Sequence, residues 1–108
     1  MVINKSKQYI KDYKKIIIKK HFVNEQTRIK NIENLIISSK NMHDLLENPY
    51  KVIYHIEAKK GYLKEYYTAR INDKLRLVMK PNGEYPYETI NIEKIEFINI
   101  DDKHYGEG

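Results

Sequence analysis

The side chains best suited to chemistry in this chain are two arginines, Arg70 and Arg76, on either side of Asn72-Asp73-Lys74. A guanidinium is permanently charged and presents a planar fork of donors that matches phosphate or carboxylate. Whether the two act together depends on the register of the hairpin that carries them, because a one-residue slip moves every side chain to the other face. A two-residue loop would pair Arg70 with Leu75 and Ala69 with Arg76, mixing charged and apolar groups on both faces. A three-residue loop pairs Ile71 with Leu75 and Arg70 with Arg76. Ala69, Ile71, Leu75, Leu77 and Met79 then share an apolar face, and Tyr66, Thr68, Arg70, Arg76, Val78 and Lys80 share the other. Burial selects this second register. Like charges directly opposite each other cost a sheet about a few tenths of a kcal/mol or more. A bound anion would offset that cost, and so would a carboxylate partner for each arginine, such as Glu65, Glu96 or Asp102.

Near the C-terminal end, His104 and Tyr105 follow Asp101-Asp102-Lys103. A histidine can act as general acid or base near neutral pH, although a lone histidine there is also an ordinary surface residue. His21, His43 and His55 have no companions at metal-ligand spacing and receive no role. No HExxH, P-loop or GxGxxG pattern occurs, so neither a metal nor a cofactor is expected. The ten tyrosines suit base stacking, but several must serve the core.

The elements that must position these residues fall into two halves. Residues 1–4 read as a short edge strand. Ser6 is a plausible N-cap for a helix to about Lys20, with Tyr9, Ile10, Tyr13, Ile16 and Ile17 on its buried face. Asn24 is the candidate N-cap of a second helix to about Ser39, with Ile29, Ile32, Leu35 and Ile36 inward. The short connection favours an antiparallel helical hairpin. A short turn at Met42–Leu46 is stopped by Asn48-Pro49. From Tyr50 the period becomes two, and Val52, Tyr54 and Ile56 predict a strand. Glu65–Ile71 and Leu75–Lys80 predict the arginine hairpin. The segment 84–93 reads as an extended connection with a short strand near Glu88–Ile90, and Ile95–Ile100 as the last strand. The implied fold class is α+β, a helical hairpin packed on one side of a small antiparallel sheet.

At 108 residues and 13.0 kDa the chain suits a single domain spanning 1–108. It has no cysteine, which removes disulfides, thiolate catalysis and zinc–thiolate sites. No apolar run approaches signal-peptide or membrane-span length, so the expectation is a cytoplasmic protein with no membrane partner. The net charge of +5 is uneven: residues 1–30 hold nine Lys/Arg against Asp12 and Glu25, whereas 81–108 hold two Lys against seven acids. Such a basic surface suits a polyanion or an acidic protein, and lysine-rich helices are also commonly just solvated.

The run Lys60-Gly61…Tyr67-Thr68-Ala69-Arg70-Ile71-Asn72-Asp73-Lys74-Leu75-Arg76-Leu77 resembles the central signature of the RelE/ParE superfamily of toxin–antitoxin toxins. The ending Ile98-Asn99-Ile100-Asp101-Asp102-Lys103-His104-Tyr105 is similar to the HigB-like branch. The resemblance covers about 50–80 and 95–105, and the helical hairpin in layout only. It implies a microbial-RNase-like fold, a cognate antitoxin partner, and metal-independent, ribosome-dependent cleavage of messenger RNA. Operator DNA would be reached through the antitoxin. Carried over, the catalytic set is Lys60, with Lys59 as its rival, Arg70, Arg76, His104 and Tyr105. Arg70 and Arg76 would hold the phosphate and its transition-state charge. Lys60 would contact phosphate or transfer a proton, His104 would act as acid or base, and Tyr105 would stack or transfer a proton. Lys59, Lys64, Tyr66 and Lys80 would contact RNA. Two alternatives share the fold: a ParE-like gyrase inhibitor, and a non-catalytic RNA- or protein-binding module.

Overall fold

In the computed structural model, which describes residues 1–102, the Ser6 hydroxyl caps the first helix. It accepts from Tyr9 N at 3.0 Å and donates to Ile98 O at 2.6 Å, tying the helix start to the last strand. Helix α1 (Lys7–Asp12) then widens into a π-helical stretch, Tyr13–Ile18. The expected helix to Lys20 is therefore helical to Ile18 but changes pitch, with Lys19 N donating to Lys14 O at 3.0 Å. The extra residue in the turn buries Ile17 completely and leaves Ile18 46% exposed.

His21, at φ 56, reverses the chain. Helix α2 (Val23–Ser38) starts without a side-chain cap, and its N-cap is Phe22 rather than Asn24. The reversal is so tight that the helix has begun before Asn24 is reached. Ile29, Ile32 and Ile36 are buried, as the three-to-four spacing requires. A third helix, α3 (Met42–Glu47), is capped by the Asn41 side chain, which accepts from Asp44 N at 2.8 Å.

Five strands form one sheet in the order β1-β5-β4-β3-β2: β1 Val2–Lys5, β2 Glu57–Ala58, β3 Tyr67–Arg70, β4 Arg76–Pro81 and β5 Lys94–Asp101. The sheet is mixed where an antiparallel one is expected, because β1 runs parallel to β5, with Ile3 opposite Ile95. The long path from β1 through the helices to β5 permits the parallel pairing that a tight hairpin forbids.

The strand expected from Tyr50 is absent. The Asn48 side chain accepts from Tyr50 N at 2.8 Å and starts a 3₁₀ turn, Pro49–Val52. This local bond captures the backbone and overrides the period-two pattern. Val52 and Ile53 are 68% and 52% exposed, and only Ile56 is buried. Likewise the short strand expected near Glu88–Ile90 is a 3₁₀ turn, Thr89–Asn91.

The inner face of the sheet packs on the helical hairpin. Ala69, Leu77, Met79, Ile95, Phe97 and Ile100 meet Ile17, Ile29, Ile32 and Ile36 in one core, each contributing about 1.5–3 kcal/mol if fully buried as a large aliphatic or aromatic group. Tyr9 stacks edge-on against Phe97 with centroids 5.3 Å apart. Asp12 accepts from Ile100 N at 3.0 Å, a second tie between α1 and β5. Among the described residues no helix is long and apolar enough to cross a membrane.

Candidate nucleic-acid interface

The hairpin register is the one that burial demands. Arg70 lies opposite Arg76, Ala69 opposite Leu77 and Thr68 opposite Val78. On its other flank Arg76 faces Asp101 of β5, and Val78 faces Asn99. The outer face therefore carries a row Arg70, Arg76, Asp101 and, one step along, a row Thr68, Val78, Asn99.

Between Val78 and Met79 the pairing shifts by one residue, because Met79 lies opposite Phe97. Ile98 is the extra residue of this bulge. A bulge re-aims side chains, and here Ile98 joins Asn99 on the outer face while Phe97 and Ile100 stay in the core. The result is a groove of about 270 Å³ lined by Lys59, Leu63, Tyr66, Val78, Ile98, Asn99 and Asp101. It combines an apolar floor with one cation, one aromatic ring and one carboxylate. It ends at Asp101, the cross-strand neighbour of Arg76.

The two arginines are held by the turn between them. Asp73, itself 86% exposed, forms an ion pair with the Arg70 guanidinium. It takes the place of the more distant carboxylates considered for that role, since it lies only three residues away. Arg76 Nη1 donates to Asn72 O at 2.7 Å and to Leu75 O at 3.0 Å. Burial and the charge of Arg70 both press the pKa of Arg76 below its ordinary value, and Asp73, Glu57 and Asp101 partly counter them. Two guanidiniums thus face each other across the hairpin.

The other sequence-predicted residues are spread more widely. Lys59 is half-buried in the groove, and its backbone N donates to Tyr66 O at 2.9 Å. Lys60 is exposed, precedes the 3₁₀ turn Gly61–Leu63 and does not line the groove. Tyr66 lines the groove. Lys64 lies over the Tyr85 ring, 5.1 Å from its centroid. Lys80 sits opposite Glu96 and borders a separate hollow with Asn4, Pro81 and Asn82. His104 and Tyr105 lie outside the described residues. Sequence reasoning missed Ile98, Asn99 and Asp101 as groove residues, because a bulge in an alternating strand leaves no mark in the order of residues, and it missed Leu63, which reaches the groove from the 3₁₀ turn.

The fold is shared with solved toxins. The chain is similar to a structure of the DinJ–YafQ complex of E. coli, at 20% identity and a TM-score of 0.61, with 98% of this chain and 97% of that chain covered. It is similar to a copper-bound mutant toxin from Helicobacter pylori, at 14% identity and 0.62, with 98% of each chain covered. It is also similar to a YoeB/ParE toxin from Agrobacterium tumefaciens, at 16% identity and 0.60, with 94% of this chain and 98% of that chain covered. No family model matches the chain, and no curated protein does. At these identities the likeness establishes the fold, which is that of the RelE-like toxins.

Proposed function

We propose that this chain is the toxin of a type II toxin–antitoxin system and that it cleaves messenger RNA on the ribosome without a metal. The observation that carries the reading is the facing pair Arg70 and Arg76 on the open side of the sheet, beside a groove holding Lys59 and Tyr66. The toxin fold supports it, and so does one similar structure, an E. coli DinJ–YafQ toxin–antitoxin complex, for a cognate antitoxin as stable partner. The closing run Ile98–Tyr105 supports the HigB-like branch.

RNA carries its own nucleophile. The 2′ oxygen attacks the adjacent phosphorus, the P–O5′ bond breaks, and a 2′,3′-cyclic phosphate and a 5′ hydroxyl result. One group takes the 2′ proton, another gives a proton to the 5′ oxygen, and cations stabilise the added negative charge of the phosphorane. Arg70 and Arg76 are the cations, and Arg70 exchanges Asp73 for phosphate when RNA binds. Lys59, or Lys60 in its place, holds the phosphate or moves a proton. Tyr66 offers a stacking surface, and Lys64 and Lys80 contact RNA further along the surface. His104 is the general acid or base. β5 ends opposite Arg76 at Asp101. Tyr105 stacks on a base or relays a proton.

The test is cleavage of a reporter messenger RNA in a purified translation system, mapped by primer extension, with and without ribosomes. Arg76→Ala and His104→Ala proteins of confirmed fold run alongside. Ribosome-dependent cuts that both variants abolish are expected. No cuts from folded wild-type protein across several messages would overturn the nuclease, and a gyrase assay and RNA-binding titration would then separate the ParE-like inhibitor from a non-catalytic module.

A further inference from the structure

The arginine pair does not hold itself in place. Arg70 donates its backbone N to Tyr54 O at 2.7 Å, beyond the two-residue strand β2, so the end of β3 rests on an irregular segment. Into this junction reaches Arg28, from the middle of α2. Its Nε donates to Arg70 O at 2.6 Å and its Nη2 donates to Ile53 O at 2.7 Å, while the guanidinium lies 5.1 Å from the centroid of the Tyr54 ring. One turn earlier on the same helix, Glu25 accepts from Asn72 Nδ2 at 3.0 Å. Asn72 is the residue whose carbonyl holds Arg76 Nη1, and its Oδ1 accepts from Lys74 N and Leu75 N at 2.9 and 2.8 Å.

We infer that Arg28 and Glu25 are positioning residues for the arginine pair, Arg28 acting through the Arg70 carbonyl and Glu25 through Asn72 on Arg76. The inference rests on the nuclease reading for its effect on rate, but not for its geometry. Several features point to positioning rather than general support. A fork that spans two carbonyls from different segments fixes their separation, and lysine, a point charge on a flexible stem, cannot do so. Both helix residues act on the turn end of the hairpin, Arg28 on the Arg70 carbonyl and Glu25 on the Asn72 side chain. Both sit on α2, which borders a hollow shared with Ile71 and Asn72 at that end. Misplacement of a catalytic group by about 1 Å can cost on the order of 100-fold in rate.

The experiment compares Arg28→Met, Arg28→Lys and Glu25→Gln with wild type in two arms. In the first, single-turnover cleavage and affinity for an uncleavable 2′-deoxy version of the message are measured separately. The expected result for Arg28→Met and Arg28→Lys is a fall of about 10- to 100-fold in the cleavage step, with affinity within about 3-fold of wild type. Cleavage at the wild-type rate by folded Arg28→Met protein would overturn the inference, and so would full rescue by lysine. In the second arm, the Nε–Hε resonances of Arg70 and Arg76 are followed by NMR. They should shift or broaden in Arg28→Met and Glu25→Gln, while the amides of Ile32 and Phe97 in the core stay in place. Unmoved arginine resonances would also overturn it. If wild type cuts nothing, the nuclease reading fails in the first arm and the second arm still decides the positioning.

Discussion

At the scale of single residues, this surface is built around charges left facing one another. Arg70 and Arg76 sit in opposed register, held by a short-range carboxylate and two turn carbonyls. An exposed ion pair such as Arg70–Asp73 adds roughly 0–1 kcal/mol, small enough for a phosphate to displace. The two adjacent lysines offer a direct comparison. Lys59 lines the groove and Lys60 faces solvent. Lys59→Ala is therefore expected to lower cleavage by about 10-fold or more, in the range of a lost charge or proton-transfer contact, and Lys60→Ala by less than 3-fold. Single-turnover assays of both proteins decide it, and the reverse order would return Lys60 to the site.

At the scale of elements, two ties bear on the site's outer frame. The Ser6 hydroxyl caps α1 and also donates to Ile98 O, inside the bulge that lines the groove. Ser6→Ala should cost about 1–2 kcal/mol, the range of an N-cap loss, with the midpoint of urea unfolding moving down and the slope unchanged. The second tie is the segment after β4. The Tyr87 hydroxyl donates to Glu65 O at 2.6 Å, just before β3. Burial first, and then Glu65 and nearby tyrosines, push the Tyr87 pKa up to about 12. Below pH 10 the phenol is protonated in both folded and unfolded states. Between about pH 10 and 12 the unfolded chain loses that proton and the folded one keeps it, so stability falls as pH rises. Tyr87→Phe should flatten part of this alkaline decline in melting temperature, and cost about 1 kcal/mol at pH 7 for the lost hydrogen bond. Tyr9 and Tyr67, also raised chiefly by burial, keep the remainder of the slope. An alkaline decline identical in Tyr87→Phe and wild type would remove Tyr87 from this account.

At the scale of the whole molecule, charge and shape divide the surface. The sheet's open face carries the arginine pair, and the exposed lysines of the first helical stretch, Lys14, Lys15 and Lys19, lie elsewhere. An acidic antitoxin segment would meet these lysines with complementary charge, which speeds encounter more than it tightens the final complex. Combined Lys14→Ala, Lys15→Ala and Lys19→Ala changes should slow association with the antitoxin by about 10-fold at low salt, with the difference shrinking as salt is raised. Stopped-flow association against salt concentration checks it, and an unchanged on-rate and affinity would show that these lysines are only solvated.

What the sequence determined by itself was whatever local chemistry forces. The three-residue loop and the Arg70–Arg76 pairing followed from burial alone, since the rival register would have put guanidiniums in the core. The Ser6 cap and the buried face of α2 followed from capping and periodicity, and β5 extends one residue beyond the expected Ile95–Ile100 at each end. The signature around Arg70–Leu77 also pointed to the toxin fold, although this said nothing of how the ends of the chain pair. Tertiary structure decided the rest. Pairing of β1 parallel to β5 is a contact between residues about ninety positions apart, which no local pattern records. The Asn48 side-chain bond to Tyr50 N prevailed over the period-two pattern, and Val52 and Ile53 stay exposed outside the core. The one-residue bulge at Ile98 set which side chains line the groove. The reach of Arg28 and Glu25 to the hairpin depends on where α2 packs, so long-range geometry, and not residue type, made them neighbours of the arginine pair.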